Sequence, residues 1–158
     1  MNIKLLLRSA TTTGICMIFG LLGVIALQNG VKDWYPALQK PWFTAPDFIY
    51  GPIWIVMYCM VGLSAGLVWS KGFYHRWVKT ALYHFGFIMM LNAFWFLLFF
   101  GLHETFLALL AILGTLTITF FTIKWFKIVT PLSAYLLIPY AVWMLYLTCF
   151  TFEFWRIN

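Results

Sequence analysis

The sequence predicts an all-α membrane protein, a bundle of five transmembrane helices. Three observations carry that prediction. Of 158 residues, 64% are apolar and 9% charged, against about 45–50% and about 25% in soluble domains. The apolar residues gather in five long runs broken by charged and turn-forming residues, and a helix crosses the hydrocarbon with about 20 residues. The basic residues also segregate to alternate loops, as they do in membrane chains. This composition excludes a soluble globule, a disordered chain and a disulfide scaffold. Five spans use up the chain as a single domain, 1–158, with no length left for a soluble one.

The first span is expected at 5–27, ended by Gln28-Asn29-Gly30. Lys4 and Arg8 precede it in the manner of a signal peptide. The run is long and no Ala-x-Ala site follows, so a retained helix is expected. The second span, 52–70, opens at Gly51-Pro52 and closes at Lys71-Gly72. The third, 80–100, closes at Gly101, and the fourth, 105–123, at Lys124. The fifth, 131–154, opens with Pro131, and its interior Pro139 removes one helix hydrogen bond. Between the first two spans lies the one long connection, 28–51. It is too polar to span and too aromatic for a plain linker, so it reads as a lid loop. A short interfacial helix is expected around 36–38.

An odd number of spans puts Lys4, Arg8, Lys71, Arg76, Lys79, Lys124 and Lys127 on one side, with no acid. The other side holds Lys32, Lys40 and Arg156 with Asp33, Asp47, Glu104 and Glu153. The positive-inside rule then places the N-terminus in the cytoplasm and the C-terminus outside, most simply in a bacterial inner membrane. The net charge of +6 is thus a topology label and does not point to nucleic acid. Cys16, Cys59 and Cys149 lie in separate runs, which gives no disulfide framework and no metal spacing. They read as small packing residues.

No nucleophile–base constellation is present, and no Asp, Lys or Arg lies mid-span. That disfavours a proton-coupled carrier and a charge-lined channel. His84 reads as an interfacial histidine rather than a haem ligand. What remains is aromatic surface, 22% of the chain, with a few polar handles. Asn92, Trp95 and Phe99 share a helix face, as do Trp54 with Tyr58 and Trp143 with Leu147. Trp143 lies about mid-depth, ~16 Å from Phe154 along its helix. Such a set suits a cavity for a flat hydrophobic ligand beneath the 28–51 loop. Gly62 and Gly66 form a GxxxG, which permits close helix approach within a protomer or in a dimer.

These residues also carry a resemblance. Trp34-Tyr35-Pro36-Ala37-Leu38-Gln39-Lys40-Pro41 resembles the Trp-Tyr-x-x-Leu-x-Lys-Pro signature of the TspO/MBR family, the tryptophan-rich sensory proteins and mitochondrial translocator proteins. The match continues through Pro46, Pro52-Ile53-Trp54, Tyr58, Asn92-Ala93-Phe94-Trp95, Phe99-Phe100-Gly101, Pro139-Tyr140, Trp143 and the terminal Trp155-Arg156-Ile157-Asn158. The resemblance implies a five-helix bundle, commonly a homodimer, that binds porphyrins such as protoporphyrin IX or haem-like tetrapyrroles and requires no cofactor or metal. It implies that Trp34 and Tyr35 belong to the lid. Trp54, Tyr58, Asn92, Trp95, Trp143 and Leu147 would line the pocket, and Phe99 shares the face of Asn92 and Trp95. A receptor or sensor is the leading expectation. Light- and oxygen-dependent degradation of protoporphyrin, through Trp54 and Trp143, is an alternative, and a transporter is a third. The chain departs from the family pattern in having Ala45 before Pro46, Ile88 one turn before Asn92, and Thr151 where many members carry Asn. No Tyr stands within five residues before Arg156, which removes the sterol-recognition pattern there.

Overall fold

The computed structural model describes residues 3–30, 32 and 34–158. Asp33, counted above among the lid-side charges, lies outside the described residues. The described elements are α1 (Ile3–Gly30), the short α2 (Trp34–Ala37), α3 (Asp47–Trp69), α4 (Arg76–Phe96) widening into a π-helical turn (Leu97–Gly101), α5 (Thr105–Val129) and α6 (Pro131–Ile157). No strand occurs among the described residues. Five of the helices are long and apolar enough to cross a membrane, which makes this an integral membrane protein.

The helices outrun the expected spans where charge was taken as a stop. Lys124 and Lys127 lie inside α5, Lys127 in its last turn, where a cation is favourable. Helix α3 starts five residues before Pro52, capped by Pro46, with Ile49 N donating to Pro46 O at 3.0 Å. The proline ring therefore sits in the second turn. Helix α6 runs on to Ile157, and its last turn carries the Glu153–Arg156 ion pair. The short interfacial helix begins two residues before the expected place.

The helices pack in a closed ring in the order α1, α3, α6, α5, α4 and back to α1. At the basic end, α1 and α3 are drawn together. A Cβ at Gly62 would stand 2.4 Å from Thr13 Cα, and one at Gly66 2.4 Å from Ser9 Cα. The GxxxG therefore serves contact within the protomer. Thr12 Oγ1 donates to Gly62 O at 2.6 Å, and Arg8 Nη1 donates to Trp69 O at 2.9 Å at the C-terminal end of α3. On the other flank Ser64 Oγ donates to Ser133 O of α6 at 2.6 Å. Cys16 is buried and Cys59 partly buried, as packing residues would be, but Cys149 is exposed on the outer face of α6.

Candidate functional site

The lid is held down by α6. Residues Tyr146, Phe150, Phe154 and Asn158 recur every four positions, so they form one ridge along that helix. Asn158 makes a two-way contact: its Oδ1 accepts from Gln39 N at 3.0 Å and its Nδ2 donates to Gln39 O at 3.1 Å. The Tyr146 hydroxyl accepts from Ala45 N at 3.1 Å and pairs with the Tyr50 hydroxyl at 2.9 Å. Between these ties Tyr35 inserts inward and is buried, its ring 5.7 Å from Phe154 and 5.8 Å from Phe100. Lys40 Nζ covers the other side of that ring at 4.5 Å. Burial, then the nearby Asp47 charge, push the Tyr35 phenol above its ordinary pKa, so it stays neutral as the contact requires.

Beneath the lid lies a cavity of about 760 Å³, well inside the range of small-molecule sites. Helix α1 supplies Met17, Leu21, Val24 and Gln28, and α3 supplies Gly51, Trp54, Ile55 and Tyr58. Trp95, Phe96 and Phe100 close the back, with Leu147 and Phe150 of α6. The charged and amide side chains, Gln28, Lys32 and Asp47, belong to the lid-end rim. Trp54 is the centre of the wall, stacked on Tyr58 at 5.2 Å and packed against Phe96 at 5.1 Å. Behind it Trp143 meets Trp54 edge to face, 6.2 Å between centroids. Its buried Nε1 has no hydrogen-bond partner among the described residues. A buried donor in that condition is costly.

Comparison with known proteins agrees with this architecture. Residues 12–156 match the TspO/MBR family. The chain belongs to the TspO/MBR family. The tryptophan-rich protein TspO of Archaeoglobus fulgidus is 29% identical over 100% of this chain and 99% of its own length. The translocator protein of Homo sapiens is 35% identical over 79% of this chain and 75% of its own. The tryptophan-rich protein TspO of Bacillus cereus is 30% identical over 80% and 82%.

Placed on the structure, the TspO/MBR positions fall into three groups. Tyr35, Trp54, Tyr58, Trp95 and Leu147 line the cavity. Asn92 and Trp143 stand one layer behind it. Tyr58 Oη donates to Asn92 Oδ1 at 3.3 Å, and Asn92 Nδ2 donates to the buried Tyr140 hydroxyl at 2.9 Å. Trp143 also faces a second, smaller cavity of about 430 Å³ with Met57, Ile138 and Tyr146. Trp34 and Phe99 do not reach either cavity. Trp34 stacks on His103 at 4.4 Å and meets Phe99 edge-on at 5.5 Å, which anchors the start of the lid. Phe99 is fully buried.

A π-helical turn lies where Phe100, and not Phe99, lines the cavity. Leu102 N donates to Leu97 O, five residues back, at 2.8 Å. Phe100 faces the cavity four residues beyond Phe96, and Phe99 stacks beneath Trp95 at 5.6 Å. Sequence reasoning also missed Tyr50, Phe96, Phe150 and the whole α1 wall. Phe150 lies three residues beyond Leu147 and seven beyond Trp143, so helical spacing could have found it. Nothing marks the α1 wall, because over residues 17–27 that helix is apolar on every side. Trp95 Nε1 donates to Thr151 Oγ1 at 3.2 Å, so Thr151 partners that indole. His84 Nδ1 donates to Thr80 O at 2.8 Å and lies beside Trp125, remote from the cavity lining. No three metal-ligating side chains gather among the described residues.

Proposed function

We propose that this protein is a membrane receptor or sensor for porphyrins or related flat hydrophobic ligands, bound in the cavity under the 28–51 loop. The observation that carries this reading is the cavity itself, about 760 Å³ and walled by Tyr35, Trp54, Tyr58, Trp95, Phe96 and Phe100. Aromatic faces suit a flat macrocycle, and charged and amide side chains at the rim suit one with polar edge substituents. Membership of the TspO/MBR family supports protoporphyrin IX or a haem-like tetrapyrrole as the ligand, with no further cofactor required. The proposed setting is a bacterial inner membrane, with the N-terminus cytoplasmic and the lid outside, on the strength of the charge bias. A homodimer is part of the proposal, formed through a face other than the Gly62–Gly66 contact, which is taken up within the protomer.

The test is titration of the detergent-solubilised protein with protoporphyrin IX in the dark, followed by tryptophan emission. Saturable quenching is expected. Tyr58→Ala and Trp54→Phe should each weaken the Kd about tenfold, equivalent to ~1.4 kcal/mol. Unsaturable quenching, or a Kd unchanged in both variants, overturns the reading. The edge-to-face pair of Trp54 and Trp143 favours a second reading, oxygen-dependent photo-oxidation of the bound porphyrin. Illuminating the same samples separates the two. Faster porphyrin loss that disappears in Trp54→Phe and Trp143→Phe supports an enzyme, and loss equal to that with heat-denatured protein rejects one.

A further inference from the structure

The cavity is also a slot open sideways. Its α1 lining recurs as Met17, Leu21, Val24 and Gln28, and its α3 lining as Asp47, Gly51, Trp54 or Ile55, and Tyr58. Leu21, Val24 and Ile55 line it and are at the same time 63%, 50% and 58% exposed. Residues with both properties are the lips of an opening. Among the described residues, the side-chain hydrogen bonds joining α1 to α3 are Thr12 to Gly62 and Arg8 to Trp69, both at the basic end. Toward the lid the two helices have only the slot between them. The lid is tied to α6 instead, through Gln39 and Ala45, on another side of the ring. The open side therefore faces the membrane.

The dimensions and charge identify what fits there. From Asp47 to Tyr58 the slot follows eleven residues of α3, or ~16 Å at the α-helical rise. Half of a ~30 Å hydrocarbon core is ~15 Å, so the slot has the depth of one leaflet. Its lining is overwhelmingly apolar and aromatic through that depth, and its charged side chains, Lys32 and Asp47, stand at the lid end. At the rim Asp47 is engaged by Lys40 at 3.6 Å, and no carboxylate among the described residues is within ion-pair reach of Lys32. We propose that the slot is a binding site for an anionic phospholipid of the leaflet at the lid end. One acyl chain lies between α1 and α3 against Trp54, and the phosphate sits at Lys32. The inference does not rest on the porphyrin reading. It holds or fails on lipid contact alone.

Brominated lipids test it. The protein is reconstituted in vesicles of phosphatidylglycerol or of phosphatidylcholine, each with and without bromine at mid-chain, and tryptophan quenching is measured. Subtracting the quenching in Trp54→Phe gives the part borne by Trp54, a side chain that is buried against the rest of the protein. That part should be at least twofold larger in brominated phosphatidylglycerol than in brominated phosphatidylcholine. Lys32→Gln, an exposed substitution, should bring the two lipids to parity. A Cβ at Gly51, which lines the slot, meets nothing within 4 Å, so Gly51→Leu starts a side chain in open space there and should lower Trp54 quenching in both lipids. Absence of Trp54 quenching, or quenching unmoved by Gly51→Leu, shows that no chain enters and overturns the site. Equal quenching in the two lipids with Lys32 intact, or an excess that survives Lys32→Gln, overturns the anionic headgroup. No porphyrin is present, so either result leaves the preceding titration to stand by itself.

Discussion

At the residue scale, Asn92 shows how a buried amide links a ligand cavity to the bundle behind it. Its oxygen accepts from Tyr58, which lines the cavity, and its nitrogen donates to Tyr140, which is fully buried on α6. The sequence marks Asn92 as unusual, because an amide inside an apolar span needs partners. It cannot reveal that one partner is Tyr140, 48 residues away. Asn92→Leu leaves both hydroxyls without their amide partner, and an unsatisfied buried group costs about 1–3 kcal/mol. Thermal unfolding in detergent should therefore show a lower Tm for Asn92→Leu than for the parent chain. Tyr140→Phe in the Asn92→Leu background should recover part of the loss, because it removes one stranded hydroxyl. A double variant no more stable than the single one would refute the coupling. Trp143 makes the opposite case. Its mid-depth position is readable from helix spacing, whereas its unpartnered Nε1 and its place behind Trp54 depend on contacts from α3 that no local pattern encodes.

At the element scale, the local signals were present but their partners were not. Gly62 and Gly66 announce close approach, and the structure spends them on Ser9 and Thr13 of α1. The clash is with backbone atoms, which cannot rotate away. Gly62→Val or Gly66→Val must therefore push α1 off α3, and such overpacking costs about 1–3 kcal/mol or more. Calorimetry or a fluorescence melt should find each variant less stable, while light scattering finds the oligomeric state unchanged. A variant that dissociates an oligomer and keeps its Tm would place the motif between protomers instead. The turn Leu97–Gly101 was invisible beforehand, because a π-helical turn is a property of backbone hydrogen bonding and not of residue pattern. The ends of α5 and α6 ran beyond the expected stops because lysines and an ion pair are compatible with a last helical turn.

At the scale of the whole molecule, span number was readable because it follows from length and composition alone. The ring order α1, α3, α6, α5, α4 was not, since helices that are apolar on most sides carry no stripe to say which neighbour each face meets. Charge, unlike packing, is read directly. Lys4, Arg8, Lys71, Arg76, Lys79, Lys124 and Lys127 occupy the end of the bundle opposite the lid. The lid end sets Lys32, Lys40 and Arg156 against Asp47, Glu104 and Glu153. All the connections concerned are short, the regime in which Lys and Arg dictate orientation. The lid should therefore face away from the cytoplasm, which gives the Gln39–Asn158 tie and the cavity rim access from outside. The three native cysteines are first replaced by alanine, and single cysteines are then introduced as Gln39→Cys and Lys71→Cys. A membrane-impermeant maleimide applied to spheroplasts should label the first and reach the second only after the membrane is opened. The reverse pattern would put the lid in the cytoplasm, and labelling of both in intact spheroplasts would indicate a mixed orientation that the charge bias does not control.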